Sequence, residues 1–390
     1  MSCTQRGEVI PIQGSNTGMS INRSAIVHAI PSLVGGGAER QICYLARAQV
    51  DLGYDVHVVF LHRGPNMTRL RASGAHVHQL FAATNYDPIL VLQFAAILNK
   101  VKPIAVQTWL RQMDILGGMA AMSSKTPWIL TERSSAAAYP KSIKHDFRAY
   151  LAHHASAIIG NSAAGIEYWR IDQECAEIPC EFIRNIVPTE EILSVPALKS
   201  LSGQLLDNDD ELILFAGRFT DTRSIDTLTD ACLDVLKQRP KCHVLLIGDG
   251  PERAAAVRKV HEHGLLERFG LPGHMTAEQV WSAMRRATVF VFLSAFEGQP
   301  NSVLEATVSG CALVLSNIRE HYDLVGPRGA FFVERNDTRA VTASILNCLD
   351  DRESAKLRTR NAVSFASPFT EREAALAYRA MYEHVGKREH

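Results

Sequence analysis

Phe296-Glu297-Gly298-Gln299-Pro300-Asn301-Ser302-Val303-Leu304-Glu305-Ala306 decides how this chain is read, because it brings two carboxylates to a helix start between two apolar runs. Before it, Val289-Phe290-Val291-Phe292-Leu293-Ser294 has the continuous apolar pattern of a buried strand, and Cys311-Ala312-Leu313-Val314-Leu315 repeats that pattern after it. Ser302 with Glu305 three residues on has the form of a capping box. That form predicts a helix whose first free N–H groups belong to Ser302, Val303 and Leu304. A helix mouth of this kind attracts phosphate.

Working outward, 390 residues exceed one ordinary core and suit two domains of roughly 150–200 residues each. A formal charge of zero and a hydrophobic share of 46% exclude nucleic-acid binding by bulk charge and wholesale disorder. No apolar run approaches the ~20 residues that cross a bilayer. Met1 to Ser20 is polar and lacks the apolar centre of a signal peptide, so residues 1–22 read as a loose tail. Cys43, Cys232, Cys242, Cys311 and Cys348 fall in periodic apolar segments, the pattern of free thiols in a reducing compartment. Cys175 and Cys180 have no second pair to complete a zinc site. The expected location is cytoplasmic.

Ser24–Ile30 reads as a first strand running into Gly35-Gly36-Gly37, then a helix with Ile42, Leu45, Ala46 and Val50 on one side, closed by Gly53. Val56–Leu61 is the second strand. The glycine triplet lacks the spacing of a dinucleotide-binding turn, and the strand ends at His62-Arg63 rather than at an acid, so a nicotinamide cofactor is set aside. Gly36 and Gly37 let backbone approach a ligand or a facing domain closely. The alternation continues through His76–Leu80, a helix over Pro88–Val101, Ile104–Thr108, Trp128–Thr131, a helix from Lys144 to Ala155, and Ala157–Gly160. Parallel strands need helical crossovers, so this is a doubly wound sheet whose ligands lie beyond the carboxyl ends of the strands. Trp109 with Arg111, Glu132 with Arg133, and Asn161-Ser162 stand at those ends.

Residues 196–210 form a polar, weakly patterned stretch that divides a first domain, 23–195, from a second, 211–369. In the second the alternation restarts with Leu212–Gly217, Thr227–Lys237, Cys242–Gly248, Glu252–His263, Phe269–Leu271 and Ala277–Arg286, and ends with Phe331–Val333 and Thr338–Leu349. Residues 370–390 carry a last helix that is free to pack back on the first domain. Gly217 and Arg218 follow the first strand of the second domain, and Arg223 stands near the same edge as the helix mouth. Arginine forks bind phosphate oxygens bidentately, so Arg218, Arg223 and the helix mouth together are suited to a diphosphate leaving group. Gly248-Asp249-Gly250-Pro251 ends a further strand on this edge, where it lines a nucleotide pocket or makes a plain turn.

Glu297 and Glu305, within Glu-Gly-Gln-Pro-Asn-Ser-Val-Leu-Glu-Ala and followed by Gly310, closely resemble the signature of the retaining nucleotide-sugar glycosyltransferases of glycosyltransferase family 4. Gly35-Gly36-Gly37-Ala38-Glu39-Arg40, Asn161-Ser162, Ile183-Arg184-Asn185, Gly217-Arg218 and Gly248-Asp249-Gly250-Pro251-Glu252 resemble that family's other motifs in order, from about residue 24 to the C-terminus. The resemblance implies the GT-B fold: α/β, with two Rossmann-like doubly wound domains facing across a cleft. It implies a nucleoside diphosphate sugar donor, UDP- or GDP-linked, bound by the second domain. Glu305 is then on the ribose, Glu297 with the backbone amides between Gly298 and Asn301 faces the donor sugar, Gln299, Pro300, Ser302 and Val303 complete the donor-binding stretch, and Arg218 with Arg223 holds the diphosphate. Gly217, Gly248 and Gly273 line the nucleotide, with Gly36 and Gly37 facing them. No cofactor and no metal are implied. Trp109, Arg111, Glu132 and Arg133 are the acceptor-side candidates, and the acceptor is a saccharide or lipid-linked saccharide of envelope or exopolysaccharide synthesis.

The chain departs from the family pattern in three places: Arg223-Ser224 stands where lysine and glycine are usual, Glu132-Arg133 where a histidine is common, and Thr307 and Ser309 where alanines are common. Lys141, Lys144, His145 and Arg148 form a basic cluster that fits the anionic inner face of a membrane or, equally, a solvated helix. Glu305 also has a structural reading as a capping glutamate. A nucleotide-sugar epimerase of similar fold and a non-catalytic sugar-nucleotide-binding protein remain as alternatives.

Overall fold

The computed structural model describes residues 24–201, 203–366 and 369–386; the tail expected over 1–22 lies outside them. The first sheet takes its strands from β1 (Ala25–Ser32), β2 (Asp55–His62), β3 (His76–Gln79), β4 (Ala105–Trp109), β5 (Trp128–Glu132), β6 (Ala157–Gly160) and β7 (Cys180–Phe182). Their order is 3-2-1-4-5-6-7, all pairs parallel. Chain order reverses at β1 and β4, the switch point at which open parallel sheets hold ligands. Strands buried on both faces read as unbroken apolar runs, and β1 accordingly keeps Ile26, Val27, Ala29 and Ile30 out of solvent.

The stretch expected to be a linker is partly ordered. β8 (Ser200–Leu201) and β9 (Gln204–Leu205) form a small antiparallel hairpin, and Leu201 packs in the core of the second domain against Gly270. The second sheet contains β10 (Glu211–Ala216), β11 (Cys242–Ile247), β12 (Phe269–Gly273), β13 (Val289–Phe292), β14 (Ala312–Ser316) and β15 (Phe331–Val333), in the order 12-11-10-13-14-15 and again parallel. Two Rossmann-like α/β domains with apposed carboxyl edges make up the fold.

The last helix, Glu371–Gly386, packs on the first domain. Its Tyr382 hydroxyl accepts from Gln49 Nε2 at 2.8 Å and donates to Gln107 Oε1 at 2.6 Å. Gln49 Oε1 lies 2.7 Å from His28 Nε2, and Trp109 Nε1 donates to His28 Nδ1 at 3.2 Å, which fixes His28 as the neutral tautomer protonated on Nε2. Burial lowers the pKa of His28 to about 4, against the pull of Gln49. The seven described cysteines are all free and buried.

A long helix, Leu110–Ser124, makes the crossover between β4 and β5, a segment to which the sequence pattern assigns no element. Gly117 and Gly118 lower its intrinsic propensity, yet packing requires them. A Cβ on Gly117 would stand 2.6 Å from Thr108 Cγ2, and one on Gly118 2.7 Å from the Trp128 ring.

Candidate active site at the domain junction

β13 ends at Phe292, and the chain then turns through residues 293–300 into the helix Asn301–Val308. The cap differs from the expected one. Pro300, extended at φ −71°, is the N-cap, and its carbonyl accepts from the amides of Val303 and Leu304 at 3.2 and 3.3 Å. Proline fits here because it has no N–H to satisfy and a pre-set φ. Ser302 and Glu305 therefore do not form a capping box: both lie inside the helix, and the capping residue, Pro300, has no N–H for a glutamate to accept from. Val303 is a core side chain, not a pocket residue, and its amide is already bonded.

Freed from the cap, Glu305 reaches across the junction to Arg40 of the helix Gly37–Asp51; Arg40 Nη1 lies 2.8 Å from Glu305 Oε1. Glu305 Oε2 has no protein partner among the described residues. Glu297 is arranged similarly. Its Oε1 accepts from Ser294 Oγ at 2.8 Å and pairs with Arg223, while Oε2 carries no protein partner among the described residues. Burial pushes the Glu297 carboxyl above the ordinary carboxylate range, and Arg223 and Ser294 pull it back.

Arg223 also donates to Ser294 Oγ and lies with its guanidinium carbon 4.8 Å from the centre of the Phe292 ring. Arg218, on the exposed rim after β10, has no ion-pair partner among the described residues and bears on Arg223 electrostatically. Ser224, at φ 46°, stands in left-handed backbone where glycine would be unstrained. Its hydroxyl is held there, donating to Asn336 Oδ1 at 2.8 Å and accepting from Arg335 Nη1 at 3.0 Å.

Behind Glu297, the amide of Ser294 donates to Ser316 Oγ at 2.7 Å, and His321 Nδ1 lies 2.9 Å from the Ser316 carbonyl. A carbonyl can only accept, so Nδ1 bears the proton. Burial lowers the pKa of His321 to about 4, with Arg223 adding to the effect. The glycines expected at the nucleotide edge converge. The Gly217 amide donates to Ile247 O at 3.0 Å and the Gly248 amide to Gly273 O at 2.9 Å. At φ 140°, Gly248 has no room for a side chain: a Cβ would lie 1.8 Å from Gly217 O.

The two domains touch at the same turn. A Cβ on Gly298 would stand 2.5 Å from Arg133 O and 2.7 Å from Asn161 Oδ1. Asn185 Nδ2 donates to Gln299 O at 2.9 Å and Asn301 Oδ1 at 2.7 Å, and the Asn185 amide donates to Gln299 Oε1 at 2.5 Å. Arg133 Nη2 reaches Asn185 Oδ1 at 2.7 Å. A Cβ on Gly37 would meet Asn301 Nδ2 at 2.7 Å, so Gly37 serves the close approach of the facing domain; Gly36 is the N-cap of its helix. The side chains of Gln299 and Asn301 thus address the first domain in this arrangement.

Two acceptor-side expectations are corrected. Glu132 is buried and fully engaged: it accepts from Tyr139 OH at 2.6 Å, Trp169 Nε1 at 3.0 Å and the amides of Arg133 and Ser134, and it pairs with Arg148 Nη2 at 3.0 Å. Trp109 is buried beneath Arg133, whose guanidinium carbon lies 5.0 Å from its ring centre. Arg133 and the half-buried Arg111 remain at the carboxyl edge, and Arg111 has no ion-pair partner among the described residues. Arg148 and His145 are not surface cations either. Arg148 is clamped between Glu132 and Asp114, 2.8 Å from Asp114 Oδ2, and His145 is bonded to Tyr168. Burial raises the pKa of Asp114 to about 6, with Arg148 opposing. A cavity of about 320 Å³ opens beside the junction, lined by Ser135, Ala136 and Tyr168 from the first domain and by Glu320 from the second.

Ser294, Arg40, Asn185 and His321 take part in this site without having been singled out from the sequence as site residues. Arg40 was visible only as the last residue of the glycine-loop motif. Asn185 likewise was visible only as the last residue of Ile183-Arg184-Asn185, and a single serine or histidine in an apolar context carries no local signal of what it will face.

This fold and junction are those of a two-domain glycosyltransferase of the GT-B type. Residues 35–191 match the sequence model of the family described as Glycosyltransferase Family 4, and residues 199–364 match that of Glycosyl transferases group 1; the chain belongs to the group 1 and family 4 glycosyltransferases with the GT-B fold. A 2-deoxystreptamine N-acetyl-D-glucosaminyltransferase of Streptomyces fradiae is 32% identical over 126 residues, covering 32% of this chain and 28% of that protein. A putative teichuronic acid biosynthesis glycosyltransferase, TuaC of Bacillus subtilis, is 24% identical over 239 residues, covering 59% of this chain and 57% of that protein. The alignments to the first few curated relatives span 16% to 36% of those proteins' lengths. Among solved structures, Anabaena HepE in complex with UDP-glucose superposes with a TM-score of 0.75 at 17% identity, covering 92% of this chain and 99% of that one. Sucrose-phosphate synthase from Thermosynechococcus elongatus gives 0.77 at 19% identity, covering 93% and 99%.

Proposed function

We propose that this chain is a retaining glycosyltransferase that moves a sugar from a UDP- or GDP-linked donor to a hydroxyl of a saccharide or lipid-linked saccharide, in the synthesis of an envelope or extracellular polysaccharide. One observation carries the reading. Glu297 and Glu305 flank the start of one helix, each has one oxygen held by an arginine, and each keeps the other oxygen without a protein partner among the described residues. A carboxylate held in this way is oriented and still able to accept from a sugar or ribose hydroxyl. Arg218 and Arg223 stand beside them to take the diphosphate, whose developing charge they stabilise as the bond to the anomeric carbon breaks. The acceptor hydroxyl arrives on the same face and its proton passes to the departing phosphate oxygen. With two guanidinium groups and a helix N-terminus on that charge, no divalent metal is needed. The crystal structures of HepE with UDP and with UDP-glucose, on the same fold, support a uridine donor as the first to try.

The acceptor enters beside Glu320, Ser135 and Tyr168, with Arg111 and Arg133 on its side of the cleft. Of the basic cluster named from the sequence, Lys141 and Lys144 stay available for contact with an anionic membrane, and exposed apolar side chains join them. The helix Ile143–Ala152 turns Ile143, 88% exposed, and Tyr150, 62% exposed, outward with Phe147 on the same side. Lys141 and Lys144 flank this apolar face, a combination that suits the boundary between headgroups and acyl chains. No helix among the described residues is long and apolar enough to cross a membrane. Flotation with anionic vesicles, lost in Ile143→Asp, is the expected result; no flotation of the parent protein removes the membrane contact.

The test of the reaction is proton NMR of the purified protein with UDP- and GDP-sugars and a panel of saccharide acceptors. Product with the donor's anomeric configuration is expected. An inverted product overturns the retaining assignment, and conversion of the donor's sugar without acceptor points to an epimerase instead.

A further inference from the structure

Away from the cleft, the sequence places Asp55-Val56-His57 at the start of β2 and His76-Val77-His78 at the start of β3. Side chains alternate between the faces of a strand, so Asp55 and His57 share one face, and His76 and His78 share one face of the neighbouring strand. The parallel register sets His57 opposite His76. All four therefore meet on the edge of the first sheet, at the strand ends remote from the cleft.

We propose that Asp55, His57 and His76 form a binding site for a single divalent transition-metal ion of zinc's kind, with water in the remaining position. Asp55 Oδ2 lies 3.2 Å from His57 Nε2, and Asp55 Oδ1 lies 3.2 Å from His76 Nε2. Ligand atoms around a tetrahedral zinc with bonds of about 2.0–2.1 Å are about 3.3 Å from one another, and each imidazole nitrogen already stands at that separation from one of the two Asp55 oxygens, so a turn of the carboxylate brings a single oxygen towards both. One ligand atom from each of the three residues falls within a span of 4.8 Å. The His57 and His76 rings are stacked with centroids 4.8 Å apart, so small rotations about their side-chain bonds close the third edge.

His57 also has the support that zinc-binding imidazoles usually have. Its other nitrogen, Nδ1, lies 2.9 Å from His78 Nε2, which fixes the ring and turns Nε2 toward the site. The His57 side chain is 11% exposed, whereas those of Asp55 and His76 are 39% and 63% exposed, so one wall is protein and the other admits an ion and its water. Two imidazoles and a carboxylate bind zinc and its neighbours in the series in preference to magnesium or calcium. Among the described residues the edge strand β3 has one sheet neighbour, β2, and a bound ion would tie the two together. The site thus predicts metal-dependent stability rather than metal-dependent chemistry.

The test uses the untagged full chain, freed of metal with a chelator, then titrated with Co²⁺ as a spectroscopic probe and with Zn²⁺ in competition. One equivalent of Co²⁺ giving the visible bands of four-coordinate cobalt, displaced by Zn²⁺, is expected, together with a rise in melting temperature on adding Zn²⁺. His76→Gln, at an exposed position, keeps the metal-free melting temperature and abolishes the bands. His78→Phe weakens binding about tenfold through loss of the support to His57. No saturable binding by the parent protein overturns the proposal. So does an intense sulfur-to-cobalt band, which would put the ion on a cysteine, and so does unchanged binding in His76→Gln.

Discussion

Replacing Arg40 by Met removes the guanidinium that holds Glu305 across the domain junction. The pair is unequally enclosed: the Arg40 side chain is 21% exposed and that of Glu305 5%. Removing one member of a buried pair costs about 3–5 kcal/mol, because the other charge is left uncompensated. Arg40→Met falls at the low end of that range, about 3 kcal/mol, since Glu305 Oε2 already lacks a protein partner among the described residues and can draw water. Glu305→Gln costs less, about 1–2 kcal/mol, because the more exposed Arg40 can turn outward and Gln still accepts one hydrogen bond. The double variant then costs less than the sum, with a coupling of about 1.5–3 kcal/mol. Urea unfolding of the four proteins, followed by tryptophan fluorescence and compared at equal slope, measures the coupling directly. A coupling below about 0.5 kcal/mol, the level at which independent sites add, would show that the junction is not held by this pair.

Three other outcomes follow from the same geometry. Gly298→Ala places a Cβ against Arg133 O and Asn161 Oδ1 and pushes the domains apart at the reacting centre. Transfer should fall by about 100-fold with little change in melting temperature, and unaltered kcat/KM would mean that this contact is absent during turnover. Arg148→Met strands Asp114 and Glu132 without their cation and should cost about 3–5 kcal/mol of stability, read as a lower urea midpoint. His28 and His321 both have folded pKa values lowered to about 4, from an ordinary 6.5. The unfolded chain takes up their protons first, so their contribution is complete above pH 6.5 and is lost as pH falls towards 4. At about 1.4 kcal/mol per unit, each is worth about 3 kcal/mol across that window. Asp114, with its pKa raised to about 6, works in the opposite direction and offsets part of this. Urea midpoints at pH 7, 6 and 5 should fall in that order, less steeply in His321→Asn.

The parallel sheets were legible because buried strands leave unbroken apolar runs, and β6, β15 and the helix Ala277–Arg286 fall where the pattern put them. The helix Leu110–Ser124 was not, since Gly117, Gly118 and its serines oppose helix propensity and only the Thr108, Phe94 and Trp128 side chains, distant in sequence, explain them. At the site, Glu297, Arg223 and the converging glycines were readable from local motif and strand position. Ser302 and Glu305 have capping-box spacing, but Pro300 takes the cap, and nothing local to that segment names Arg40 as the partner of Glu305. Glu132 looks like a charge at a strand end and Arg148 like one on a solvated helix face. They are a buried pair because Asp114, Tyr139 and Trp169, from three other segments, close around them.

The central claim is that the second domain holds a nucleoside diphosphate through Arg218 and Arg223 beside the start of the helix Asn301–Val308. Calorimetric titration of UDP and of GDP into the parent protein and into Arg218→Ala tests it most directly. One site is expected for one of the two nucleotides, weakened about 10- to 100-fold by the substitution, the loss of a charge-assisted phosphate contact of about 1.5–3 kcal/mol. Absence of binding by both nucleotides, or affinity unchanged in Arg218→Ala, would contradict the account.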